Sequence, residues 1–214
     1  MKKTVLLLMV LVISLSALVS CGDREYDEAE VSSAAKELIE DSIMLNEVYY
    51  GKGILYSDDL NLSDGVYREA IYAYHSGLGF TTVDQLKRIT KNTFSEGLSE
   101  SMFSTVLSGI NDGKDTLLAR YYQKYSVLDG KTPEAIMVNS NWSPIFTSEV
   151  EYDFDSVKAI GSEGETVFVT IDCTVSKTGY EDQKVTLQIS LVEEEKGWRI
   201  DSPTFLNYDV TKVK

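Results

Sequence analysis

This chain of 214 residues holds a single histidine, His75, and two cysteines, Cys21 and Cys173. So few imidazoles and thiols cannot assemble the usual zinc ligand sets, and they leave the commonest general base almost unrepresented. With only 3 prolines and 14 glycines, collagen-like and low-complexity chains are excluded and a packed fold is expected. Positive charge is also scarce: 20 Lys and Arg stand against 34 Asp and Glu, a formal net charge of −14. A surface this negative repels phosphate backbones, so nucleic acid is not an expected partner. No cofactor motif is present and none is expected. A long apolar run occurs once, at the beginning.

That run follows Lys2 and Lys3, extends from Val5 to Ile13 and continues through Leu15, Ala17 and Val19. It is short for a spanning helix, which needs about 20 apolar residues. It ends in Leu18-Val19-Ser20-Cys21, which resembles the bacterial lipobox. The resemblance implies that residues 1–20 are a lipoprotein signal peptide, cleaved to leave Cys21 at the new N-terminus with a diacylglycerol on its thiol. The expected address is the extracytoplasmic face of a bacterial cell membrane, reached by a lipid anchor. Residues 21–30 are polar and charged, as a short acidic tether requires. Residues 31–214 are expected to form a single α+β domain. With Cys21 acylated, no intramolecular disulfide is available, and stability falls to the core.

Apolar residues at Val31, Ala34, Ala35, Leu38, Ser42, Leu45 and Tyr49 keep helical spacing, so an N-terminal helix spans residues 31–50 and stops at Gly51. Val66 to His75 fits either period; its aromatic content favours a strand. Thr82-Val83-Asp84-Gln85 fits a capping box that opens a helix through Val83, Leu86, Ile89, Thr90 and Phe94. A second short helix is expected from Ser99 to about Gly109. Beyond the Asn111-Asp112-Gly113 turn the period becomes two, and six strands are predicted: 117–125, 134–138, 149–160, 165–176, 183–191 and 197–201. Cys173 shares its face with Val167, Val169, Ile171 and Val175, which reads as a buried, inert thiol. Helices followed by a strand meander indicate N-terminal helices packed on one curved antiparallel sheet.

The ending Gly197-Trp198-Arg199-Ile200-Asp201 resembles the close of the cystatin-like and NTF2-like cone folds of secreted bacterial proteins. Together with the Thr82 to Phe94 helix, the Leu98 to Leu107 segment, Tyr121-Tyr122 and Asp129-Gly130-Lys131, the layout from about Ser63 onward resembles the IseA family. That family comprises exported inhibitors of cell-wall DL-endopeptidases. The resemblance implies a non-catalytic binding protein whose partner is a wall hydrolase of the NlpC/P60 type, or another cationic envelope protein. The alternative is a cone-fold pocket protein that binds or transforms a small molecule, with Tyr67, Tyr72, Tyr74 and His75 near its mouth.

Three features carry candidate chemistry. Glu149, Glu151, Asp153 and Asp155 alternate with Val150, Tyr152 and Phe154, which in a strand places four carboxylates on one face about 7 Å apart. Such a ladder is a solvated edge strand protected from aggregation, or a docking stripe for a cationic partner; a calcium site is a third reading, without EF-hand spacing. Trp142, Ile145 and Phe146 lie in a turn-rich segment that either folds back over the core or anchors a partner. His75, beside Ser76-Gly77, is a strand-end residue or a base paired with an acid such as Asp64. No Glu or Asp stands in a recognisable catalytic setting, so the chain is not expected to be an enzyme.

Replacement of Cys21 tests the anchor. Cys21→Ala is expected to abolish incorporation of labelled palmitate, and equal labelling of variant and parent would refute lipidation at this position.

Overall fold

The computed structural model describes residues 25–71, 79–108, 110–111, 116–117, 119–145 and 148–208. Among these residues, three helices, two four-stranded antiparallel sheets and a two-stranded pair make a mixed α+β fold. Helix α1 (Glu28–Tyr49) begins three residues before the expected start, because Asp27 caps it: its Oδ1 accepts from the amides of Ala29 at 2.8 Å and Glu30 at 3.1 Å. Residues 28–30, assigned from sequence to the tether, are therefore the first turn of this helix. A single 3-10 turn (Leu60–Leu62) precedes strands β1 (Ser63–Asp64) and β2 (Tyr67–Glu69). The strand preference of the Val66 to His75 stretch holds over its first half, and residues 72–78 lie outside the described ones.

Helix α2 (Val83–Thr93) starts where the capping residues place it, with a variation in the reciprocal bond. Thr82 Oγ1 accepts from the Gln85 amide at 3.2 Å, whereas the Gln85 side chain returns to the Thr81 amide at 2.7 Å. Helix α3 (Glu96–Leu107) begins at Glu96 and not at Ser99, since Ser95 serves as its cap and accepts from the Leu98 amide at 3.2 Å. Ser99, expected as the start, is instead buried inside the helix with its hydroxyl on the Phe94 carbonyl at 3.2 Å.

The strands follow: β3 (Ile110–Asn111), β4 (Thr116–Leu117), β5 (Tyr121–Tyr125), β6 (Pro133–Asn139), β7 (Glu149–Glu163), β8 (Thr166–Ser176), β9 (Gln183–Glu194) and β10 (Gly197–Ile200). The expected strand 117–125 is thus split, with β4 paired to β3 and β5 starting after a bend at Arg120. The single curved sheet expected from sequence is two sheets, ordered β1-β2-β6-β5 and β10-β9-β8-β7. Period-two patterning reports which face of a strand is buried, but it carries no information on which strand lies beside it.

Both sheets and all three helices share one apolar core. Helix α1 packs against β7 and β10, and its Val31, Ala35, Leu38, Ile39 and Leu45 join one core with the inner-face residues Val167, Val169, Ile171, Ile189, Leu191 and Ile200, which are fully buried. Cys173 belongs to this inner face, and burial pushes its thiol up to about 11. The sequence Gly197-Trp198-Arg199-Ile200-Asp201 is structural. Its Ile200 carbonyl accepts from the Ser95 amide at 2.8 Å, Asp201 accepts from the Ser95 hydroxyl, and Arg199 Nε donates to the Lys91 carbonyl at 3.0 Å near the end of α2.

The C-terminal end of α1 is closed by Arg120. This side chain is 2% exposed, and its Nη1 and Nη2 donate to the carbonyls of Tyr49 (2.9 Å) and Gly51 (2.8 Å). Tyr121 adds its hydroxyl to the Val48 carbonyl at 2.7 Å and accepts from the Ile54 amide at 3.2 Å. Gly53 has φ +83°, and a Cβ there would stand 2.2 Å from Arg120 Nη2 and 2.7 Å from the Tyr121 hydroxyl. Gly65 has φ +59° with nothing in the way of a Cβ. Gly65→Ala is accordingly expected to cost about 1 kcal/mol of left-handed backbone strain. Gly53→Ala is expected to cost at least about 3 kcal/mol, because the same strain is joined by displacement of a buried guanidinium. Urea unfolding of both variants measures the difference, and equal costs would show that Arg120 moves freely.

Candidate functional site

Strand β7 is the outer strand of the second sheet, paired on one side with β8 alone. Glu149, Glu151, Asp153 and Asp155 are all exposed, while Val150, Tyr152 and Phe154 pack against the core. The ladder therefore exists, but it is not an ideal strand along its whole length. Pairing runs Glu149 to Ser176, Glu151 to Thr174 and Asp153 to Asp172, then jumps to Lys158 opposite Thr170. Ser156 fills this bulge: its hydroxyl donates to the Asp153 carbonyl at 2.6 Å and accepts from the Asp172 amide at 2.7 Å. Asp153 Oδ1 in turn accepts from the Asp155 amide at 3.1 Å. The bulge shifts the inward phase from Val150, Tyr152 and Phe154 to Val157 and Ala159, and both of these join the core.

The bulge also brings in a carboxylate that strand alternation alone did not associate with the ladder. Asp172 on β8 faces outward beside Asp153 and accepts from the Thr186 hydroxyl at 2.6 Å. Glu151, Asp153, Asp155 and Asp172, with Thr174, Thr186 and the single cation Lys184, line a shallow open trough of about 680 Å³. The signal that locates Asp172 is cross-strand register, which depends on the bulge. Among the described residues no three Asp, Glu, Cys or His side chains converge to hold a metal ion. The calcium reading of the ladder gains no ligand set from this geometry.

The turn-rich segment divides. Trp142 is half-buried and packs on the core, with the Arg120 guanidinium 5.5 Å from its ring centre. Ile145 is 52% exposed, and its amide donates to the Tyr50 carbonyl at 2.7 Å, so the segment is fastened to the end of α1. Phe146 lies outside the described residues.

Of the tyrosines proposed for a pocket mouth, Tyr67 donates its hydroxyl to the Ala119 carbonyl at 2.8 Å and meets the Tyr122 ring edge-on at 4.8 Å. Tyr122 donates to Asp64 Oδ2 at 2.8 Å, and burial with this neighbouring carboxylate pushes its phenol up to about 12. Tyr72, Tyr74 and His75 lie outside the described residues, as does Cys21.

A scan against protein-family models matches none, and no curated protein and no solved structure matches the chain. The likeness to the IseA layout rests on the short sequence phrases alone. Among the described residues no helix is long and apolar enough to cross a membrane.

A buried polar network fixes the inner side of β7 to α1. Thr204 Oγ1 accepts from Asn46 Nδ2 at 2.8 Å and donates to the Ser42 hydroxyl at 2.8 Å, and the Thr204 carbonyl accepts from the Tyr152 hydroxyl at 2.8 Å. Thr204→Val preserves shape but strands the buried Asn46 amide, while the Ser42 hydroxyl keeps its bond to the Ile39 carbonyl at 2.7 Å, so a loss of about 1 to 3 kcal/mol is expected. Tyr152→Phe removes one bond and is expected to cost about 1 kcal/mol. Chemical denaturation ranks the two, and a Thr204→Val variant as stable as the parent would show that the network contributes nothing.

Proposed function

We propose that this chain is a bacterial lipoprotein, held at the extracytoplasmic face of the cell membrane through Cys21, that acts as a non-catalytic binding protein and docks a cationic envelope protein on the outward face of β7. The observation that carries the proposal is the run of exposed carboxylates at Glu149, Glu151, Asp153 and Asp155, of which the last three join Asp172 in a trough whose one lining cation is Lys184. Summed charge of one sign on a concave surface raises the encounter rate with an oppositely charged partner and selects against others. Ile145, exposed shortly before the strand begins, offers an apolar contact. The IseA-like layout makes an NlpC/P60-type DL-endopeptidase the partner of choice, inhibited by coverage of its cleft.

A solvated edge strand with no partner makes the opposite forecast for the same variant. Replacing Glu149 and Glu151 by Gln and Asp153 and Asp155 by Asn removes four charges and leaves Val150, Tyr152 and Phe154 in place, so folding is expected to survive. Association of the parent with a purified NlpC/P60-type endopeptidase is expected to slow as salt rises, since the Debye length falls from about 10 Å at 0.1 M to about 3 Å at 1 M. The quadruple variant is expected to associate more slowly at low salt and to lose that dependence. Identical rates for both proteins at both salt concentrations would remove this face as a docking surface.

A further inference from the structure

The chain between Cys21 and the fold is short, and it ends at a fixed place. Tyr26 is partly buried and packs on the core, and Asp27 caps α1. From Cys21 to Tyr26 the chain spans at most about 18 Å, whatever its conformation. The end of the fold where α1 begins is therefore held within that distance of whatever anchors Cys21. Hydrogen bonds show which other elements share this end. The Ser32 hydroxyl meets the Ala159 amide at 3.2 Å, whereas Asn46 and Tyr152 both reach Thr204. Helix and strand thus run antiparallel, about 21 Å of helix beside about 23 Å of strand. The turn between β7 and β8 lies just beyond Ala159. Thr166 stands opposite both Glu163 and Val192, which sets the turn between β9 and β10 beside it.

We propose that this end is the face the protein turns to the membrane, an inference that rests on the Cys21 anchor, and that its carboxylates hold it off an anionic lipid surface. Glu28 and Glu30 on the helix, Glu163 and Glu165 on the first turn and Glu193 and Glu195 on the second are all exposed. Lys158 and Lys196 also stand at this end and offset only part of that charge. The tether keeps the face near the headgroups, and like charge opposes contact over about a Debye length, about 10 Å at 0.1 M salt. This range is shorter than the tether, so the repulsion is expressed as a gap. The β7 trough then lies farther out, since Asp155 and Glu151 stand about 13 and 26 Å along the strand from Ala159.

The test is energy transfer from a dye on the full chain, reconstituted in vesicles, to an acceptor dye on the lipid headgroups. Glu165→Cys carries the dye at the proposed face. Thr178→Cys carries it on the turn between β8 and β9, about 33 Å away at the other end of the sheet; both positions are exposed. Transfer is expected to be severalfold stronger from position 165. In vesicles rich in phosphatidylglycerol, raising salt from 0.1 M to 1 M is expected to strengthen it further, because the Debye length falls to about 3 Å. Phosphatidylcholine vesicles are expected to show no such change, and adding Glu30→Gln, Glu163→Gln and Glu195→Gln is expected to reduce it. Equal transfer from the two positions, or stronger transfer from 178, would overturn the facing end. Transfer independent of salt in the anionic vesicles would overturn the repulsion. Because Cys173 is buried, dye on the parent chain would reveal a free Cys21 thiol and overturn the anchor itself.

Discussion

The burial of Arg120 is the constraint on which the arrangement of α1 depends. A guanidinium taken out of water loses hydration, and desolvation pulls its pKa down. Here its hydrogen bonds go to backbone carbonyls at and just beyond the end of α1, where the helix dipole places partial negative charge. The rings of Tyr121 and Trp142 lie 5.3 and 5.5 Å from its central carbon. Because Arg120 and Tyr121 are consecutive, the start of β5 is fastened by two hydrogen bonds to the last turn of α1 and by a third to Gly51 just beyond it. The Ile145 amide on the Tyr50 carbonyl brings the 141–145 segment to the same point. Gly53 is required by its backbone conformation and by the space the guanidinium occupies.

Arg199 performs a related task at α2, and together the two arginines show how an acidic chain distributes few cations. Each is buried and donates to carbonyls near a helix C-terminus, where a positive charge is favoured. Neither is held in an ion pair among the described residues, and only the charge of Glu47 acts on Arg120 from nearby. The acidic excess therefore lies at the surface, where Lys91 pairs with Glu100, and on β7 it concentrates on one face.

Much of the local structure was legible in the sequence. The Thr82 cap, the helical spacing after Val31 and the alternation through β7, β8 and β9 report burial and caps, which are properties of neighbouring residues. The errors arose where distant partners decide. Ser95 became a cap because the Phe94-Ser95 corner binds Ile200 and Asp201, and the 117–125 run broke at Arg120 because that side chain turns into the core. The site divided in the same way. The four acids of β7 follow from alternation, whereas Asp172 joins them through a register set by the Ser156 bulge. Trp142, a candidate anchor by composition, packs on the core beside a guanidinium 71 residues distant from the carbonyl it binds.

Edge protection and the proposed docking are compatible on β7, but they constrain how a partner can approach. The free backbone edge of a strand recruits another strand, and charged side chains oppose that recruitment. Near Ala159 the helix contributes as well, since the Ser32 hydroxyl accepts from the Ala159 amide at 3.2 Å. A partner that added a strand to this edge would have to bring its backbone past Glu149, Glu151 and Asp153. A partner that meets the outward face needs only positive side chains opposite the trough, and it leaves the edge unpaired. The bulge favours the second approach, because the unpaired residues between Asp153 and Lys158 interrupt the regular ladder that strand addition requires. Docking on β7 is therefore expected to be read by side chains, with the register of the edge left free.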